Sequence, residues 1–245
     1  MAALREGSVY DVSVESRPLK VGGLEVPAVH ARPDGMPIAG VVLHPDIAGL
    51  RFLFEDMARR LATHGFAVCA IEPFAGEPES VRESVESRMA HVKDLDDSRQ
   101  MEMLEAAGNR LIVEDDVTRV SVLGFCMGGH YALKAASIDR FDAAVSFYGM
   151  VRAPQAWNGP GHVIEPLEVA AQMAPTLAFF GSSDPWTPAA DIDALRSAWS
   201  GRSDCEIVVV DGAEHGFVHD PDRDVHRADD AALAWDRTLK WLGAP

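Results

Sequence analysis

Val120-Ser121-Val122-Leu123-Gly124-Phe125-Cys126-Met127-Gly128-Gly129-His130 is the stretch from which the fold is read. It opens as a short, apolar, β-branched strand and passes through a Gly-x-Cys-x-Gly turn. Beyond it, Tyr131-Ala132-Leu133-Lys134-Ala135-Ala136 is good helix-forming sequence. Strand, sharp turn, helix is the setting of a nucleophile elbow. The glycines have a physical reason. The central residue of such a turn holds a strained backbone and draws neighbouring backbone close, which leaves no room for side chains two positions away. Cys126 then projects at a helix N-terminus, where the dipole and free N–H groups favour a thiolate. The N–H of Met127 becomes one half of an oxyanion hole. A cysteine in a Gly-rich turn can also be a plain buried hydrophobe, so the motif needs catalytic partners.

Working outward, Ile38–Leu43 and Phe66–Ile71 are near-continuous apolar runs, as buried parallel strands should be. Between them, residues 52–64 read as a helix with Phe54, Met57, Ala58 and Leu61 on one face and Gly65 past its end. The unit 38–71 is therefore a strand–helix–strand crossover, expected to be right-handed. Upstream, residues 8–15 and 24–31 alternate around Gly22-Gly23 and predict an antiparallel hairpin at a sheet edge. Downstream, a polar, acidic stretch over 76–108 contains a predicted helix at Val92–Ala107, and 80–91 reads as a candidate flap over a site. Strands are predicted at 119–124, Phe141–Tyr148, Thr176–Phe180 and Cys205–Val210. The Pro- and Gly-rich connection 149–175 is long enough to suggest a functional role. Thr187 as N-cap and Pro188 at the first helical position open a helix carrying Ile192, Leu195 and Trp199. His226–Leu242 is the closing helix, with Trp235, Leu239 and Leu242 on one stripe. This alternation predicts an α/β fold: a single domain over residues 1–245, with a doubly wound, mostly parallel sheet and helices on both faces.

Composition agrees. The chain has 245 residues, 47% of them hydrophobic, which suits one large core. Its formal net charge of −16 repels phosphate backbones and anionic lipid, so neither nucleic acid nor a membrane surface is an expected partner. An anionic substrate would need local arginine. Cys69, Cys126 and Cys205 are odd in number and widely spaced, which shows no zinc or disulfide pattern and points to a reducing cytoplasm. No secretory signal and no membrane span are read from the sequence.

Open α/β sheets place their sites beyond the C-terminal ends of the strands. Four such ends carry candidates here: Asp46, Cys126, Asp184 and His215. The order nucleophile, acid, histidine is that of α/β-hydrolases. In this reading His215 exchanges a proton with Cys126, Asp184 orients the imidazole, and the N–H groups of Ile47 and Met127 hold an oxyanion while a thioester forms and hydrolyses. His215, His219 and His226 lack the glutamate of a zinc-helix motif, so no metal and no other cofactor is expected.

The chain resembles the dienelactone hydrolase family of α/β-hydrolases over nearly its whole length. The segments that carry the resemblance are Gly124-Phe125-Cys126-Met127-Gly128-Gly129, Gly181-Ser182-Ser183-Asp184-Pro185-Trp186-Thr187-Pro188 and Gly212-Ala213-Glu214-His215-Gly216-Phe217. It implies a Cys126–His215–Asp184 triad, hydrolysis of a small ester or lactone of the carboxymethylenebutenolidase type, and an oxyanion role for Ile47. It also implies that Asp46 holds the resting thiol, although the family has Glu there. Members bind a substrate carboxylate through two arginines. Here His219 stands four residues after the catalytic histidine where one is expected, and Arg82 and Arg88 are the candidates for the other. Trp186 in the second segment is a candidate substrate-binding residue, and the long 149–175 connection, with Trp157, is expected to reshape the pocket mouth.

Two alternatives belong to other classes. Glutamine amidotransferases share Gly-x-Cys-x-Gly, but they need a glutamate two residues after the histidine, where this chain has Phe217. A non-catalytic binding protein on a hydrolase fold would have an unreactive Cys126. Nothing in the sequence separates a monomer from a homo-oligomer.

Overall fold

β-Branched and other apolar runs, each flanked by turn residues, become strands buried on both faces, and the amphipathic segments between them become the covering helices. The computed structural model describes residues 1–9 and 11–244. In chain order, β1 (Val12–Ser16), β2 (Leu19–Val21), β3 (Leu24–Val26) and β4 (Ala28–Pro33) precede β5 (Ala39–His44), α1 (Phe52–Thr63) and β6 (Phe66–Ile71). Then come α2 (Glu79–Arg82), α3 (Val85–His91), α4 (Asp97–Asp115), β7 (Val120–Phe125), α5 (Met127–Ala135) and β8 (Ala143–Phe147). The chain continues with α6 (Pro166–Val169), β9 (Thr176–Gly181), α7 (Ala189–Ala198), β10 (Cys205–Val210) and α8 (Ala228–Leu242).

Eight strands form one sheet in the order β1-β4-β6-β5-β7-β8-β9-β10. Pairings from β6 through β10 are parallel, while β1–β4 and β4–β6 are antiparallel. Two apolar clusters cover the two faces. One contains Leu104 and Leu111 of α4, Tyr131 and Leu133 of α5, and Leu195 of α7. The other contains Phe54, Met57 and Leu61 of α1 with Trp235 and Leu242 of α8. Each such fully buried side chain contributes about 1.5–3 kcal/mol through removal of apolar area from water. This is the expected α/β-hydrolase arrangement, a mostly parallel sheet covered on both faces.

Topology positions the site. β5 lies between β6 and β7, so the chain leaves it toward one side and later returns on the other. That reversal opens a crevice at the C-terminal strand ends. There His44 of β5 stands beside Gly124 of β7, and Phe125 stands beside Phe147 of β8. The loops that follow β5, β7 and β8 are thereby neighbours.

Several local expectations are corrected. The antiparallel edge pairing expected of 8–15 and 24–31 is present as β1 with β4, while Gly22-Gly23, both with positive φ, close a shorter β2–β3 hairpin within it. Tyr10, inside the expected strand 8–15, lies outside the described residues. The helix expected at Val92–Ala107 is α4, which starts five residues later and runs on to Asp115. Asp96 sets its start, because its carboxylate accepts from Arg99 N–H at 2.9 Å, and Asp116 ends it in a left-handed conformation. Region 80–91 is α2 and α3, the latter opened by a Ser84–Ser87 capping box. Thr187 is not an N-cap. Pro188 has extended ψ and takes the capping position of α7, while the buried Thr187 hydroxyl has no hydrogen-bond partner among the described residues. Among the described residues no helix is long and apolar enough to cross a membrane.

Candidate active site

Cys126 sits between β7 and α5 with φ 56° and ψ −118°, a backbone conformation rare for any residue with a side chain. The glycines around it are required by contact. A Cβ on Gly124 would stand 1.9 Å from Gly128 O, and one on Gly128 would stand 2.3 Å from the carbonyls of His44 and Pro45. The turn is thus pressed against the end of β5, which brings the Asp46–Gly49 loop to Cys126. Met127 opens α5, and its N–H, in the first helical turn, has no intrahelical acceptor. Ile47 N–H also donates to no acceptor of the fold among the described residues.

Asp184 follows β9 and His215 follows β10, and the parallel pairing of those strands puts the two loops side by side. Asp184 Oδ2 accepts from His215 Nδ1 at 2.8 Å, and Oδ1 accepts from Trp186 N–H at 2.8 Å. His215 Nε2 is buried without a well-formed hydrogen bond among the described residues and faces the Cys126 side. Burial acts to lower the pKa of His215, but hydrogen bonding to Asp184 and the interaction with the Cys126 sulfur outweigh it and raise it to about 9.

A cavity of about 190 Å³ covers these groups. It is lined by Asp46, Ile47, Met89, Cys126, Met150, Trp157, Trp186, His215 and Arg223. Its walls are mostly apolar. Trp157 is buried and donates its indole N–H to Met89 Sδ at 3.4 Å, and its ring centroid is 6.3 Å from that of Trp186 at the exposed rim. The long 149–175 connection and α3 therefore each contribute a wall. A buried ion pair holds that connection down: Lys134 Nζ lies 2.7 Å from Asp97 Oδ1, and Asp97 Oδ2 accepts from Val163 and Ile164 N–H, each at 2.8 Å.

Of the residues expected at the site, Cys126, Asp184, His215, Ile47, Asp46 and Trp186 come together. The arginine expectations fare differently. Arg88 is buried, not in the cavity, because Glu72 Oε1 holds its guanidinium at 2.7 Å and it packs 4.9 Å over the Phe74 ring. Arg82 is exposed at the end of α2, and it too is absent from the cavity lining. His219 is buried beneath the site, not on its wall. Its Nε2 donates to Asp46 Oδ2 at 2.9 Å, and its Nδ1 accepts from the Tyr148 hydroxyl. Asp46 is likewise fully engaged, accepting from Ala48 N–H and twice from Arg51. Hydrogen bonds from His219 and Arg51 outweigh the opposing effect of burial and hold the Asp46 carboxyl well below the usual carboxylate range.

The cavity's own arginine is Arg223, which sequence reasoning missed. Gly216, at φ 86°, makes this possible: a Cβ there would meet Arg223 Nη1 at 2.0 Å, so the guanidinium rests on the backbone beside His215. Arg223 forms no ion pair among the described residues. Its sequence setting, Asp220-Pro221-Asp222-Arg223-Asp224, reads only as a charged loop. Met89 and Met150 also carried no motif.

Comparison with known proteins follows the same lines. Residues 26–244 match the model of the Dienelactone hydrolase family. The chain is 31% identical, over 84% of its length and 83% of the relative's, to a Bradyrhizobium protein named "Probable 2-oxo-3-(5-oxofuran-2-ylidene)propanoate lactonase". It is 30% identical, over 90% of its length and 83% of the relative's, to an Escherichia coli K12 protein named "Putative carboxymethylenebutenolidase". A solved structure from Klebsiella pneumoniae, named "Putative Dienelactone Hydrolase", superposes with a TM-score of 0.85 at 26% identity, covering 96% of this chain and all of that one. The shared sequence and fold make this chain a hydrolase of esters or lactones that belongs to the dienelactone hydrolase family.

Proposed function

We propose that the chain hydrolyses small esters or lactones through a Cys126–His215–Asp184 triad and a thioester intermediate. The observation that carries this reading is the position of His215, bound to Asp184 through Nδ1 and turned toward Cys126 with an unpartnered Nε2. Asp184 fixes the tautomer and supports the imidazolium. The Cys126 thiolate attacks the carbonyl carbon, and the N–H groups of Ile47 and Met127 hold the oxygen as it becomes an alkoxide. Collapse of that intermediate breaks the C–O bond, and His215 gives its proton to the departing oxygen. In a lactone this oxygen stays tethered as the ring opens. Water then attacks the thioester, His215 takes a proton from it, and the thiolate leaves the new carboxylic acid.

The cavity suits a small, flat, largely apolar substrate that bears one anionic group. Trp157, Met89 and Met150 supply the apolar walls, and Arg223 is the charge for a substrate carboxylate, which a surface of net charge −16 would otherwise repel. The carboxymethylenebutenolidase type of reaction fits these features.

The test is hydrolysis of p-nitrophenyl acetate and of dienelactone, wild type beside Cys126→Ala. Turnover of both that falls at least 100-fold in the variant supports the full reading. Cys126-dependent turnover of the simple ester alone keeps the chemistry and discards the substrate. A folded Cys126→Ala that remains active discards the triad.

A further inference from the structure

An ionised carboxylate at the edge of an oxyanion hole opposes the reaction, because it repels both a thiolate and the developing alkoxide. Asp46 is such a carboxylate. It lines the cavity, directly precedes Ile47, and is kept ionised by its partners. Its four hydrogen bonds account for both oxygens. Oδ1 accepts from Ala48 N–H at 2.9 Å and Arg51 Nη1 at 2.6 Å; Oδ2 accepts from Arg51 Nη2 at 2.9 Å and His219 Nε2 at 2.9 Å. The backbone closes the same turn, Gly49 N–H donating to Asp46 O at 3.0 Å, and Glu72 holds Leu50 N–H at 2.8 Å. The Ile47 peptide is therefore pinned from both sides while its own N–H is left free.

The far end of this chain of hydrogen bonds is equally constrained. His219 is buried, stacked 6.0 Å from the Phe54 ring and tilted against Phe125 at 5.2 Å. Burial lowers its pKa against the opposing pull of Asp46, which favours a neutral ring carrying one proton. That proton has to sit on Nε2 to serve Asp46, which requires a donor at Nδ1. The Tyr148 hydroxyl is that donor; burial, with the charges of Asp46 and Cys126, keeps it protonated. Tyr148 follows β8 with φ 41°, a strained conformation held by its N–H on Phe179 O at 2.7 Å. Its ring also packs edge-on against His215, with centroids 5.0 Å apart.

We propose that Tyr148, His219 and Arg51 are positioning residues that act through Asp46 to fix the Ile47 N–H for the oxyanion. His219 sets the orientation of Asp46, Tyr148 sets the tautomer of His219, and Arg51 cancels the charge. This assignment rests on the reading of Cys126 as nucleophile and Ile47 as oxyanion donor.

The experiment compares two reactions of one sulfur. Hydrolysis of p-nitrophenyl acetate develops an oxyanion. Alkylation by iodoacetamide does not: the thiolate displaces iodide at a saturated carbon, so that an S–C bond forms, a C–I bond breaks and iodide leaves. His219→Leu fills the same space without a donor. It should lower kcat about 10-fold, since small misplacements in a catalytic site cost one to two decades, while KM and the alkylation rate of Cys126 stay within about 2-fold. His219→Gln, with an amide N–H to offer Asp46, should recover most of kcat. Tyr148→Phe serves if His219→Leu does not fold; it should lower kcat about 3-fold with alkylation unchanged. Unchanged kcat in the folded variants overturns the proposal, and so does a parallel loss of alkylation, which would move the effect onto Cys126 or His215. A wild-type enzyme that keeps its turnover after Cys126 is fully alkylated would instead sink the underlying reading.

Discussion

His215 Nδ1 and Asp184 Oδ2 are 2.8 Å apart although one residue follows β10 and the other β9. The pairing raises the His215 pKa to about 9 against the effect of burial. A raised histidine stabilises the fold fully below its unfolded value near 6.5, and that contribution is lost as pH rises through about 9. Thermal stability should therefore fall between those limits, and Asp184→Asn should flatten the slope. The leaving oxygen needs the imidazolium proton, so kcat/KM should also decline on the alkaline side near pH 9. A pH–rate profile beside a pH series of melting curves checks both.

Arg223 rests on Gly216 at the cavity wall with no carboxylate partner among the described residues. Arg223→Met should raise KM for carboxylate-bearing lactones about 10-fold or more and leave a neutral ester within about 2-fold. High salt should narrow that difference between wild type and variant, because a partly exposed charge is screened.

Gly124 has no room for a methyl group, since its Cβ would stand 1.9 Å from Gly128 O. Gly124→Ala must push β7 away from α5, and it should cost about 3 kcal/mol or more in denaturant unfolding. Gly201→Ala is the control for space: its Cβ meets nothing within 4 Å, and only its φ of 85° opposes the change.

Asp97 and Lys134 form an ion pair whose side chains are both fully buried. Asp97→Ala leaves the ammonium unpaired and frees the N–H groups of Val163 and Ile164, so it should cost about 3–5 kcal/mol. The connection that carries Trp157 should loosen with it. Hydrogen exchange over 157–164 and a rise in KM would record this.

Much of the architecture can be read from local pattern. β6 and β10 fall on the expected residues, because an apolar run bounded by turn signals leaves little choice of register. The Cys126 turn is legible for a different reason: a residue forced to positive φ between two close backbones demands glycines at fixed offsets. Boundaries set by single side chains were harder. α4 is shifted because Asp96, one acid among many, is the residue that caps it. The edge pairing of β1 with β4 was legible, but not the short β2–β3 hairpin that Gly22-Gly23 close inside it.

The candidate site divides in the same way. Asp46, Cys126, Asp184 and His215 were legible because strand ends meet at one edge of a parallel sheet, and strand order follows from the alternation of elements. By itself the sequence determined the elbow, the helix-covered sheet and the order of residues brought to its C-terminal edge. Only the tertiary structure decided which arginine faces the cavity, that Arg88 is spent on Glu72, and that His219 turns inward to Asp46 and Tyr148. The physical reason is range. Backbone geometry and hydrophobic period act over a few residues, whereas the partner of a buried charge is whichever counter-charge or hydrogen-bond donor the folded chain brings within about 3 Å, here across 173 positions between Asp46 and His219.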